Sequence, residues 1–376
     1  MSLVSFWFLL IAVLWLGYLI LEGFDFGVGT LLRVLGRDEA ERRQVLRTIG
    51  PVWDANEVWL LVAGGATFAA FPEWYATMFS GFYLALLLIL VGLIVRGMAL
   101  EYRNKRDEQQ WRARWDWAVV LCSAAVGLLW GVAFVNLVSG VPLDADHEFT
   151  GNLLTLLNPQ ALLGGVATLA LFSLHGAYFL ALRTEGEVRE RAHAVSQRIW
   201  PVATLAGAVT LVWIVAADDT RSWLAVVGTV VAAAALLVQP LLWKARREGV
   251  LFSLTGLTIL GLVVTIFASM WPDVMPSTGP DGSTLTAAEA ASTHYTLKVM
   301  TWVAVVMTPI VLVYQAWTYW IFRQRVAPTE RGEKLGFPGE RGGGGDGGRS
   351  AGDGGGASGG AGQLGGAAGS DAPAQA

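Results

Sequence analysis

Apolar runs long enough to cross a bilayer recur along the whole chain, separated by short polar stretches. About 20 consecutive apolar residues match the hydrocarbon core of a membrane, roughly 30 Å thick. On that criterion the pattern predicts nine helices, at about 3–31, 51–71, 74–100, 116–139, 160–182, 199–217, 222–243, 250–271 and 295–322. The runs at 3–31 and 74–100 exceed the span, so those helices tilt or project beyond it. The opening MSLVSFWFLLIAVLWLGYLIL has no basic leader and no small-residue cleavage site, and its apolar run is too long for a secretory signal. It reads as the first spanning helix.

The polar stretches set an orientation, because cytoplasmic connections carry the excess of Lys and Arg. Arg33, Arg37, Arg42, Arg43 and Arg47 follow the first predicted helix, and Arg103, Lys105, Arg106, Arg112 and Arg114 follow the third. Arg183, Arg189, Arg191 and Arg198 follow the fifth, and Lys244, Arg246 and Arg247 the seventh. The alternate connections hold Arg221, with Lys298 just inside the last helix. This asymmetry places the N-terminus outside and the C-terminus in the cytoplasm. Two domains follow: a transmembrane helical domain over 1–327, and a Gly/Ala/Ser-rich tail over 328–376 with so little to bury that it is expected to be disordered.

Composition agrees with the pattern. Of 376 residues 54% are hydrophobic and 15% charged, with 17 Trp and 16 Phe, more apolar side chain than a soluble domain of this size buries. The fold class is all-α and polytopic, with about nine transmembrane helices in bundles. A single cysteine, Cys122, excludes an intrachain disulfide and a thiolate metal cluster. The net charge of −4 adds little beside its distribution.

Charges inside the spans carry the candidate chemistry. The stretch GPVWDANEVWLLVAGGATFAAF (50–71) opens on a proline suited to a first helical turn and places Asp54, Asn56 and Glu57 in its first two turns. Asp54 and Glu57 are three apart and share a face. With the orientation above, Glu22 and Asp25 near the end of the first helix, Asp54 and Glu57 at the start of the second, and Arg96 near the end of the third all lie at one inner level. Acids in a span cost about 2.5–3.5 kcal/mol each at the centre, so something offsets them. One reading is an ion-pair cluster that fixes three helices, with Gly23, Gly27, Gly29, Gly64 and Gly65 allowing close approach. The other is a proton uptake path from the cytoplasm, with Asp54 its first candidate. Of the four histidines only His175 lies well inside a span, which excludes bis-histidine haem ligation within this chain, leaves a five-coordinate haem open and favours a packed, hydrogen-bonded role.

The motifs GFDFGVG (23–29), PVWDANEVWL (51–60), FSGFY (79–83), WRARWDW (111–117), GVAFVNLVSGVP (131–142), FTGNLLTLLNP (149–159) and LKVMTWVAVVMTPI (297–310) resemble subunit II of the cytochrome bd quinol oxidases, over residues 1 to about 325. The resemblance implies a respiratory complex in the bacterial cytoplasmic membrane, with a haem-bearing subunit I that holds two b-type haems and one d-type haem. It implies quinol as electron donor, O2 reduced to water and protons taken from the cytoplasm, with no haem held by this chain. Lipid and possible small accessory subunits complete the implied partners, and nucleic acid is not among them. It also places Asp54 on the proton route and Glu22, Asp25 and Arg96 in the same region. Relatives often have Asp at the position of Glu22 and some have Gln at that of Glu57. Two other classes fit many spans with intramembrane acids: a proton-coupled secondary transporter and an inert assembly scaffold. The paired, broken half-helices expected of a transporter are not evident.

Overall fold

Each predicted span corresponds to a long helix. The computed structural model describes residues 2–217, 222–280 and 284–327. Its helices are α1 (Leu3–Leu35), α2 (Glu39–Ile49), α3 (Trp53–Ala70), α4 (Pro72–Gly81), α5 (Tyr83–Tyr102), α6 (Gln109–Ser139), α7 (Leu153–Leu156), α8 (Pro159–Arg183), α9 (Glu187–Ala217), α10 (Trp223–Leu242), α11 (Glu248–Met270), α12 (Ala287–Ala290) and α13 (His294–Ile321). A small antiparallel pair, β1 (Asp273–Met275) and β2 (Leu285–Thr286), lies between α11 and α12. Among the described residues nine helices reach 18 residues, and eight of these are long and apolar enough to cross a membrane. The chain is an all-α polytopic membrane protein. The ninth, α3, is diluted by Asp54, Asn56, Glu57 and its glycines. The tail predicted over 328–376 lies outside the described residues.

Local chemistry moves several boundaries. Pro51 lies in the turn before α3, which begins at Trp53, not at the proline. Phe71 leaves helical geometry (φ −135°, ψ 71°) because Pro72 follows it, and Pro72 then opens α4. The helix predicted over 74–100 divides at Phe82. Gly81 packs so closely on Phe149 that an added Cβ would stand 2.9 Å from the Phe149 Cβ. The bonds Phe82 N–H to Met78 O (2.9 Å) and Leu86 N–H to Phe82 O (2.8 Å) continue across the division, so it is a kink. The connection after α1 is not a loop but carries α2, whose cap Asp38 accepts from the Glu41 N–H at 2.9 Å.

The interior is organised around α1 and α8. Some 83% of the most apolar window of α8 is buried within the chain, against 6% for α13, which leaves α13 free to meet lipid or another chain. Exposed aromatics mark both ends of α13, with Tyr295 near its start and Trp317 and Trp320 near its finish, the placement expected at membrane–water interfaces. Where α1 crosses α8 the backbones touch: a methyl on Gly176 would stand 2.5 Å from the Gly27 carbonyl carbon. Gly23 and Gly29 also allow close packing, against Phe172 and Ser123. Among the described residues Gly64 and Gly65 have nothing within 4 Å of an added Cβ, so the close approach expected of them is not made there. Gly176→Ala is expected to cost about 1–3 kcal/mol, because backbone cannot move aside as a side chain does. That lowers the melting temperature of the detergent-solubilised protein by roughly 2–12 °C at 2–4 °C per kcal/mol. Gly256→Ala, at a site with nothing within 4 Å of the added Cβ, is the control and should leave it unchanged.

The predicted basic connections gather at one end of the bundle. Asp116 pairs with Arg103 at 2.5 Å and Arg42 at 3.1 Å. Glu39 pairs with Arg103 at 2.9 Å, Arg43 at 3.0 Å and Arg112 at 3.6 Å. Partial burial pushes the Glu39 carboxyl up, but hydrogen bonds and charge from Arg103, with Arg43 and Arg112, outweigh it and hold it below the ordinary range. The same end receives the chain after α13. Arg183 donates to Phe322 O, Val326 N–H donates to Arg183 O at 2.7 Å, and Gln44 donates to Val326 O at 2.8 Å.

Candidate functional site

Four helices bring polar side chains together near that end. Glu22 from α1 and Arg96 from α5 are fully buried and paired, Arg96 Nη1 donating to Glu22 Oε1. The same nitrogen donates to Glu57 Oε1 of α3 at 3.3 Å. Two carboxyls on different helices therefore share one guanidinium nitrogen. Phe26, one turn beyond Glu22, lies under the guanidinium, its ring centroid 4.9 Å from Cζ, a cation–π contact worth about 0.5–2 kcal/mol. Arg is suited to this place because it keeps its charge when buried.

Asp25, also fully buried, belongs to a second branch of the cluster. Its Oδ2 accepts from Asn56 Nδ2 at 2.7 Å. Asn56 also donates to Leu21 O at 3.3 Å, and its Oδ1 accepts from Gln315 Nε2 at 3.2 Å and the Tyr319 hydroxyl at 2.9 Å. Tyr18, one turn before Glu22, accepts from Trp130 Nε1 at 3.0 Å. Among the described residues Glu22 Oε2, Asp25 Oδ1 and Arg96 Nε and Nη2 are buried without a donor–acceptor partner, and the Glu22 and Asp25 carboxyls lie within hydrogen-bond reach of each other. Such atoms are the expected places for ordered water or a migrating proton.

The structure thus unites Glu22, Asp25, Arg96 and Glu57 and leaves Asp54 apart. Asp54 is exposed in the first turn of α3, on the face it shares with exposed Val58, Leu61 and Phe68. Sequence reasoning gave Asn56 no role and did not notice Gln315 or Tyr319. The available signal was Gln315, a lone amide within the apolar run IVLVYQAW.

His175 is packed as expected. Its Nδ1 is 2.6 Å from Thr255 Oγ1, its Nε2 is 3.2 Å from Ile20 O, and its ring stacks on Phe252 at 4.3 Å. With both nitrogens engaged, it does not fit an axial haem ligand. Among the described residues no group of three or more His, Cys, Asp or Glu is placed to hold a metal ion.

Comparison with known proteins decides the family. The model of the family described as cytochrome bd terminal oxidase subunit II matches residues 3–322. The chain belongs to that family. As a subunit II of this kind it is one part of an oxygen-reducing quinol oxidase and is a multi-pass membrane protein. It is similar to cytochrome bd ubiquinol oxidase subunit 2 of Bacillus subtilis (strain 168), 40% identical over 332 residues, which cover 88% of this chain and 98% of that protein. Cytochrome bd-I ubiquinol oxidase subunit 2 of Escherichia coli (strain K12) is 40% identical over 360 residues, covering 86% of this chain and 95% of that one. A chain in the solved bd oxidase from Geobacillus thermodenitrificans shares the fold, with a TM-score of 0.65 at 16% identity, covering 86% of this chain and 96% of its own.

Proposed function

We propose that this subunit II assembles with a haem-bearing subunit I in the bacterial cytoplasmic membrane and helps supply the protons that oxygen reduction consumes. Quinol is the electron donor, and the two b-type haems and one d-type haem belong to subunit I. The N-terminus lies outside and the C-terminus inside, which is supported by the basic connections meeting at one end of the bundle. Small accessory subunits and lipid complete the assembly.

The observation that carries the proton reading is the gradient of exposure along three carboxyls. Asp54 is exposed, the Glu57 side chain is 23% exposed, and Glu22 is fully buried on the same Arg96 nitrogen as Glu57. In this reading Asp54 collects a proton from water, Glu57 receives it one helical turn on, and Glu22 passes it inward. Arg96 keeps its own proton and holds the two acceptors near each other. Haem, when bound by subunit I, supplies the redox chemistry, and no step of this path uses it.

Copurifying the two subunits tests the whole. The complex is expected to show haem absorption bands and oxygen uptake driven by a reduced short-chain quinone. His175→Gln should keep the same haem content per complex, with at most a loss of stability. Selective loss of one haem signal in that variant would make this chain a ligand donor and overturn the assignment of all haems to subunit I. Absence of quinol-driven uptake in an intact, haem-loaded complex would defeat the oxidase reading.

A further inference from the structure

We infer that Asn56 is a positioning residue for Asp25 and that α13 sets it through Gln315 and Tyr319. The inference rests on the proton reading above and adds three side chains to it. A carboxamide offers two N–H donors and two acceptor lone pairs. Asn56 uses all four: the donors go to Asp25 Oδ2 and Leu21 O, and the acceptor takes Gln315 Nε2 and the Tyr319 hydroxyl. Rotating the amide by half a turn would set its oxygen against two acceptors and its NH2 against the Gln315 donor. Its orientation is therefore locked from the α13 side, and it presents an N–H to Asp25.

That N–H selects one oxygen of the acid. Oδ2 is engaged at 2.7 Å, while Oδ1 is buried among the described residues with no donor, the Glu22 carboxyl lying within hydrogen-bond reach of the acid. Asp25 is thereby held with a defined oxygen free for proton exchange. The residue that locks the arrangement is itself unusual. Leu297 and Gln315 are the buried residues of α13, and burying an amide where a leucine would fit has a cost unless its hydrogen bonds are needed. Interhelical amides also serve as plain glue between membrane helices, so the test must read proton chemistry as well as docking.

The charged and titratable groups around Asp25 are Glu22 from its own helix, Glu57 from α3, Arg96 from α5 and Tyr319 from α13. All four are retained in Asn56→Leu and in Gln315→Leu, so a changed pH profile in these variants reports on the amide. In the copurified complex, Asn56→Leu is expected to keep its haems, to lose tenfold or more in quinol-driven oxygen uptake, and to shift the pH profile of turnover. Gln315→Leu combined with Tyr319→Phe, whose hydrogen bonds here go to Asn56 and not to Asp25, should reproduce a several-fold loss with a shift of the same sign. Asn56→Gln, which keeps the amide, should recover part of the rate. Asp25→Asn separates the two ideas. If it leaves turnover unchanged, the proton reading of this branch fails and the inference fails with it. If Asp25→Asn is inactive while the Gln315/Tyr319 variant keeps wild-type rate and profile, the inference alone is overturned. Should Asn56→Leu not assemble, the Gln315/Tyr319 variant decides.

Discussion

Arg96→Leu is expected to remove most of the assembled oxidase from the membrane, and Arg96→Leu combined with Glu22→Leu to restore a substantial part of it. Both side chains are fully buried and paired. Removing one partner of a buried pair costs about 3–5 kcal/mol, since the other is left without compensation, whereas replacing both by apolar residues is often neutral or better. Against a typical total stability of about 5–15 kcal/mol, the single change is severe. Recovery should be incomplete, because Glu57 also loses its contact with Arg96. Immunoblotting of this chain with haem quantification in the same membranes reads the outcome. Wild-type levels of complex in Arg96→Leu would show that the pair does not hold these helices together. The double variant should assemble but turn over poorly, which separates the scaffold role of the pair from its chemical one.

Asp54→Asn should behave in the opposite way, assembling normally and turning over at least tenfold more slowly. Asp54 is exposed, and among the described residues no ion pair or hydrogen bond joins it to the cluster, on which it acts only through its charge beside Glu57. Asparagine keeps its shape and hydrogen-bonding capacity but cannot exchange a proton, and a positioned acid or base contributes typically 10²–10⁴-fold. Water can bypass a group at the mouth of a path, so the lower end of that range is expected. Asp54→Glu should keep part of the rate. Oxygen uptake normalised to haem decides, and unchanged turnover in Asp54→Asn would return the residue to a charge that complements its helix end.

Much of this was readable beforehand, and the reasons for the failures are specific. Apolar runs gave all nine long helices because lipid demands that length of chain. Depth counted along the first and third predicted helices brought Glu22 and Arg96 to one level, which the structure turns into a contact. What depth does not give is rotation. Residues two apart lie ~200° apart around a helix, so Asn56 and Asp54 point to nearly opposite sides. With Asn56 inward, Asp54 has to face out, and Glu57 takes the flank between them. Residues 54 and 57 share a face in sequence, yet only the packing of α3 on α1 reveals which edge of that face is inside. Gln315 and Tyr319 meet Asn56 from more than 250 positions away, and periodicity reports nothing at that distance. The helix α2 was lost for another reason: it is short and charged, and a search for spanning runs passes over it despite the Asp38-x-x-Glu41 start.

The attachments of α13 also have a consequence for synthesis. This helix and the segment after it, late in the chain, fasten onto its earliest parts: Trp7 of α1 donates to Leu297 O at 3.1 Å, Gln44 of α2 donates to Val326 O at 2.8 Å, and Gln315 donates to Asn56 of α3 at 3.2 Å. Asn56 and Gln315 are 259 residues apart, and at about 5–20 residues per second the ribosome delivers the second roughly 13–52 s after the first. Over that interval α1, α3, α5 and α6 can insert and pair, closing the Glu22–Arg96 contact, while the Asn56 carbonyl still has neither donor. Contacts this distant in sequence form late. The acid branch is therefore the last piece of the bundle to be completed, and a nascent chain halted before Gln315 would hold a nearly finished scaffold around an unfinished Asp25.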